Sequence, residues 1–106
     1  MKQKKQIDNF FQELYFIINK RAKSGKKDSY TNFLLKKGPK TIAKKIGEES
    51  SELIIDYLKG SKKRIIEEAA DLIFHIMLLL YSKKITIKDI ENELKKRRKF
   101  KNVRPK

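Results

Sequence analysis

The sequence predicts an all-α protein, a bundle of four to five helices joined by short connections. Three observations carry this. Apolar residues recur at the three- and four-residue spacing of a helix face through most of the chain. Capping and stopping residues stand where those stripes begin and end. No segment alternates polar and apolar residues with a strand's period of two, and no internal repeat is present.

Residues 7–21 form the first stripe, through Phe10, Phe11, Leu14, Ile17 and Ile18, with Asp8 or Asn9 as its cap. Lys23 to Ser29 is a loop by its Gly, Ser and Lys content. A short helix follows, capped by Ser29 or Thr31 and stopped by Gly38. Pro39 suits the first turn of the next helix, which extends to about Lys59. Gly60 ends it, and Ser61 caps a helix reaching about Ser82. Thr86 opens the last one, with Asp89 three residues on as a short analogue of the capping box and a stripe of Ile87, Ile90 and Leu94. Residues 1–98 are expected to be one domain, and 99–106 a mobile basic tail.

Composition limits the function. The formal charge is +15, and the 12 residues from Lys95 to Lys106 hold eight of the 28 basic side chains and no acid. The rest still carries 20 basic against 13 acidic residues, an excess that attracts nucleotides or other polyanions. There is no cysteine, which excludes disulfides and thiolate metal sites and fits a cytoplasmic protein. The opening stretch MKQKKQIDNFF is basic but has neither the apolar core nor the small-residue cleavage site of a secretory signal, so it is not expected to act as one. Leu72 to Tyr81, the longest near-apolar run, is far short of the roughly 18 residues of a membrane span.

Against this basic background, seven of the 13 acids lie between Gly47 and His75. On a wheel of about 100° per residue, Glu49 falls inside the stripe of Ile42, Ile46, Leu53 and Tyr57, with Glu48 and Glu52 on its flank. The helix after Ser61 is apolar nearly all round and should be buried on two faces; its narrow polar strip holds Glu68, Asp71 and His75. Gly60–Ser61 allows only an antiparallel hairpin. Glu52 and Glu68 lie eight residues either side of Gly60, and Glu49 and Asp71 lie eleven. The pairs should therefore sit at matching heights, with four carboxylates converging between two helices. Divalent cations relieve such a cluster, and all-oxygen ligation selects Mg²⁺ or Mn²⁺ over zinc. Mg²⁺ recruits phosphates, so a nucleotide polyphosphate is the expected ligand. His75 by itself is expected to be a hydrogen-bonded core histidine, supporting a ligand at most.

The pattern Glu48-Glu49-x-x-Glu52, then Glu68-x-x-Asp71, resembles the signature of the all-α nucleoside triphosphate pyrophosphatases, the MazG-like superfamily. Ser29-Tyr30-Thr31, Lys37-Gly38 and Lys45-Ile46-Gly47-Glu48-Glu49 narrow the resemblance to the phosphoribosyl-ATP pyrophosphatase family of histidine biosynthesis, over about residues 7–98. The resemblance implies hydrolysis of the α–β phosphoanhydride of 1-(5-phosphoribosyl)-ATP by a homodimer. It implies Glu49, Glu52, Glu68 and Asp71 as Mg²⁺ ligands, and Glu48 as a second-metal ligand or the group that orients the attacking water. Lys37, Lys40, Lys44 and Lys45 are the expected partners of the phosphates, and Tyr30 of a base or ribose. The cyclohydrolase unit fused to some relatives has no room in this chain, so the next pathway step is expected on another polypeptide. Two other readings stand beside this one: a house-cleaning pyrophosphatase for noncanonical or deoxynucleoside triphosphates, and, less favoured, a basic helical module that binds nucleic acid.

Overall fold

The computed structural model describes residues 9–25 and 29–98, and among these the regular elements are five α-helices and no strand. They are α1 (Phe10–Ser24), α2 (Tyr30–Lys37), α3 (Pro39–Lys59), α4 (Lys62–Ser82) and α5 (Ile87–Arg98). The tail from residue 99 and the expected cap Asp8 lie outside the described residues.

Most boundaries follow the local chemistry. Ser29 caps α2, its hydroxyl accepting from the Asn32 N–H at 3.2 Å. The alternative cap, Thr31, is buried inside the helix. Gly38 joins α2 to α3 with φ +100°, a conformation that favours glycine, and its N–H donates to the carbonyls of Leu34 and Leu35. Pro39 occupies the first turn of α3, where its missing N–H has no partner to lose. At the far end, Ser61 caps α4 by accepting from the Arg64 N–H at 3.1 Å. Thr86 and Asp89 cap each other at α5: the Thr86 N–H donates to the Asp89 carboxylate at 2.9 Å, and the Asp89 N–H to the Thr86 hydroxyl at 3.1 Å.

Helix α1 departs from the sequence reading. It extends three residues past Arg21 to Ser24, because Ala22 and Lys23 propagate a helix well. Gly25, at φ +70°, is the true stop. At the other end Asn9 takes the cap position without a side-chain cap bond.

Helices α3 and α4 pack along each other as a hairpin, with α2 laid on α3 and α1 packed against α2, α4 and α5. The core sits at the end of the hairpin away from its turn. Ile42 from the start of α3 meets Met77 and Leu78 from the end of α4, with Ile18 of α1 and Leu34 of α2. Leu14, Leu35, Ile46, Phe74, Leu79, Tyr81 and Ile87 surround them, partly buried.

The turn end of the hairpin has no such cover. Ile54, Ile55 and Ile66 are exposed there, and Tyr57 and Leu58 are 72% and 73% exposed. The two apolar sides of α4 also part company. Met77, Leu78 and Phe74 enter the core, while Ile66, Ile73 and Ile76 stay open. The expected double burial of α4 is thus met on one side only within a single chain. The outline agrees: a slab of 45 × 44 × 27 Å with a radius of gyration of 15.9 Å. A compact chain of this length would show about 13 Å. Among the described residues no helix is long and apolar enough to cross a membrane.

Candidate active site

The acids of the motif stand on the two arms of the hairpin. Helix α3 carries Glu48, Glu49 and Glu52; α4 carries Glu68, Asp71 and His75. Arg64 and Asp56, four residues either side of Gly60, meet across it at 3.6 Å, as matched heights require. Gly60 makes this approach possible. A β-carbon there would lie 2.9 Å from the Asp56 carbonyl oxygen.

Glu49 lies inside the stripe, as its wheel position requires, and a partner from α4 meets it. Its Oε1 is 2.7 Å from Nδ1 of His75. His75 is buried, at 3% exposure, and its Nε2 is 3.0 Å from the Tyr30 hydroxyl. The Tyr30 ring stacks on Phe74, with centroids 6.2 Å apart. The partner of Glu49 is therefore His75, one turn beyond the expected Asp71.

Glu68 is buried, at 7% exposure. Its Oε2 accepts from Nη2 of Arg64 at 2.9 Å. The same guanidinium reaches Glu67 at 3.3 Å. Asp56 first, then Glu68, holds the Arg64 guanidinium even more firmly protonated than usual. Arg64 escaped the sequence reading. Two signals point to it in retrospect: it lies four residues before Glu68, and it mirrors Asp56 about Gly60.

Glu48, Glu52 and Asp71 are exposed. The four expected ligands are thus divided between two pairings, Glu49 with His75 and Glu68 with Arg64, and two open carboxylates. Among the described residues no three acids or histidines stand close enough to hold an ion. The donor chemistry nonetheless fits a hard divalent cation. Every candidate ligand atom is a carboxylate oxygen, and two of the groups are already largely withdrawn from water.

The lysines lie on the approach to these acids. Lys37 places its ammonium 5.4 Å from the centre of the Phe33 ring. Lys40 and Lys44 are exposed and Lys45 half-buried, and among the described residues none of the three forms an ion pair. Gly47 lies within α3, directly before Glu48. A β-carbon there would meet nothing within 4 Å.

Comparison with known proteins decides the family. The model of the phosphoribosyl-ATP pyrophosphohydrolase family matches residues 11–98, from the first turn of α1 to the end of α5. The chain belongs to the phosphoribosyl-ATP pyrophosphohydrolase family. A phosphoribosyl-ATP pyrophosphatase of Clostridium novyi is 44% identical over 95 residues, which cover 88% of this chain and 86% of the relative. One from Sulfolobus acidocaldarius is 44% identical over 92 residues, covering 87% and 97%. The histidine biosynthesis bifunctional protein HisIE of Caldanaerobacter subterraneus is 46% identical over 87 residues, covering 82% of this chain and 42% of that longer protein. Every candidate site residue lies within the phosphoribosyl-ATP pyrophosphohydrolase match.

Proposed function

We propose that the protein hydrolyses the α–β phosphoanhydride of 1-(5-phosphoribosyl)-ATP, releasing phosphoribosyl-AMP and pyrophosphate, as a cytoplasmic enzyme of histidine biosynthesis. The family match over residues 11–98, which includes the whole acidic motif, carries this reading.

In the proposed mechanism Glu49, Glu52, Glu68 and Asp71 would hold Mg²⁺, or Mn²⁺ in its place. When bound, the ion neutralises phosphate oxygens and makes a nearby water more acidic. Glu48 orients the attacking water and receives one of its protons. The water oxygen forms the new bond to the α-phosphorus as the anhydride bond to the β-phosphate breaks. Lys37, Lys40, Lys44 and Lys45 take up the charge that grows on the departing pyrophosphate. Among the described residues Lys40, Lys44 and Lys45 form no ion pair, which suits this task.

The working unit is proposed to be a homodimer. The uncovered side of α4 and the exposed turn end of the hairpin are the surfaces a second copy would bury.

Pyrophosphate release from phosphoribosyl-ATP, with and without Mg²⁺, tests the proposal. Release is expected only with the ion. Glu52→Gln should abolish it while the circular dichroism spectrum stays unchanged, because Glu52 is exposed. Cleavage of dCTP or dUTP with phosphoribosyl-ATP left intact would overturn the substrate. Tight, salt-sensitive binding to RNA or DNA that survives Glu52→Gln, with no pyrophosphate released, would overturn the activity.

A further inference from the structure

We propose that Tyr30, His75 and Glu49 form a positioning chain that commits one oxygen of Glu49 and leaves the other for a divalent ion; it rests on the reading of Glu49 as an ion ligand. An ionised carboxylate can only accept hydrogen bonds. The nitrogen 2.7 Å from Glu49, Nδ1, must therefore carry a hydrogen. In the neutral ring the lone pair is then on Nε2, and the Tyr30 hydroxyl, 3.0 Å away, donates to it. In the neutral ring Glu49 thus sets the direction of both bonds.

The chain joins three helices. Glu49 comes from α3, His75 from α4, and Tyr30 is the first residue of α2. Its inner member is buried, so the ring has few other orientations open to it, and Phe74 flanks it edge-on at 5.5 Å. Its outer member is 49% exposed. Anything that displaces the Tyr30 hydroxyl is therefore felt at Glu49 through two hydrogen bonds. This gives Tyr30 a positioning role through its hydroxyl, separate from any stacking of its ring on a base.

The chain is simple to test, because His75 is the protein's single histidine. Protein labelled with ¹⁵N-histidine yields one imidazole spectrum. In the neutral ring the proton is expected on Nδ1 and the lone pair on Nε2. Mn²⁺ affinity is then measured by titration calorimetry on the full chain. His75→Leu, which removes the donor, is expected to weaken Mn²⁺ about 10- to 100-fold, the range for removing a group that orients a ligand. His75→Asn keeps an N–H near the place of Nδ1 and should retain most of the affinity. Tyr30→Phe should weaken Mn²⁺ by a smaller factor in the parent protein, and not at all beside His75→Asn, which has no Nε2 left to receive the hydroxyl.

A proton found on Nε2 would overturn the proposal, as would a folded His75→Leu protein that binds Mn²⁺ like the parent. If His75→Leu does not fold, the Tyr30→Phe comparison in the two backgrounds decides, and equal effects in both sink the chain. If the parent protein binds no Mn²⁺, the acidic site falls and the proposal with it. Mn²⁺ binding that His75→Leu leaves untouched removes the proposal alone.

Discussion

Glu68 shows best what one residue can and cannot reveal from sequence. Its place on the polar strip of α4 is legible from helical spacing, and so is its height, eight residues past Gly60. Its burial is not, because a wheel gives an angle within one helix and says nothing of what lies opposite. Nor does it give side-chain reach, which brings Glu49 to His75 and lets Arg64 hold Glu68. The Arg64 pairing has a measurable consequence. Arg64→Ala takes away the cation that meets the buried Glu68 carboxylate, so the metal-free protein should melt at a lower temperature than the parent. Mg²⁺ at the proposed site is expected to raise the melting temperature of Arg64→Ala by more than that of the parent, because an ion approaching Glu68 would meet no guanidinium there. Differential scanning fluorimetry across a Mg²⁺ series reads both effects. In the core, Ile42→Ala should lose about 2–5 kcal/mol in urea unfolding, the usual range for emptying a buried aliphatic site.

At the scale of elements, the boundaries that were legible are those set by local chemistry. Ser29, Ser61 and the Thr86–Asp89 pair are caps by residue type, and the backbone uses each of them as such. The end of α1 was not legible, because glycine, serine and lysine are equally at home in a loop and in a helix's last turn. Only the left-handed Gly25 settles the stop. The hairpin turn lends itself to two tests. Ser61→Ala should lose about 1 kcal/mol, the usual worth of an N-cap. Gly60→Ala should lose more, on the order of 1–3 kcal/mol, since its β-carbon would press on the Asp56 carbonyl rather than on a flexible side-chain end alone. Urea midpoints at unchanged slope distinguish both from a change in the unfolded state.

For the whole molecule, the all-α class and the hairpin were readable because they need only periodicity and a two-residue link. Which side of α4 faces the core was not readable, because both sides are apolar and only the packing of α1 and α2 chooses between them. The uncovered side leads to a prediction for the assembly. Leu58→Glu alters a side chain that is largely exposed in one chain, so the fold should survive. A carboxylate there would be stranded in any apolar interface, so the proposed dimer should become a monomer by light scattering, with pyrophosphate release lost. Gly47 extends this to the acidic helix itself. In isolation, α3 would do better with a methyl at that point, by about 0.5–1 kcal/mol, since glycine is a poor helix former and a methyl would touch nothing. Bare main chain beside Glu48 leaves open space where a methyl would stand, a doorstep for the proposed substrate. Gly47→Ala is expected to raise the melting temperature and slow turnover together, a hardier protein with its threshold blocked.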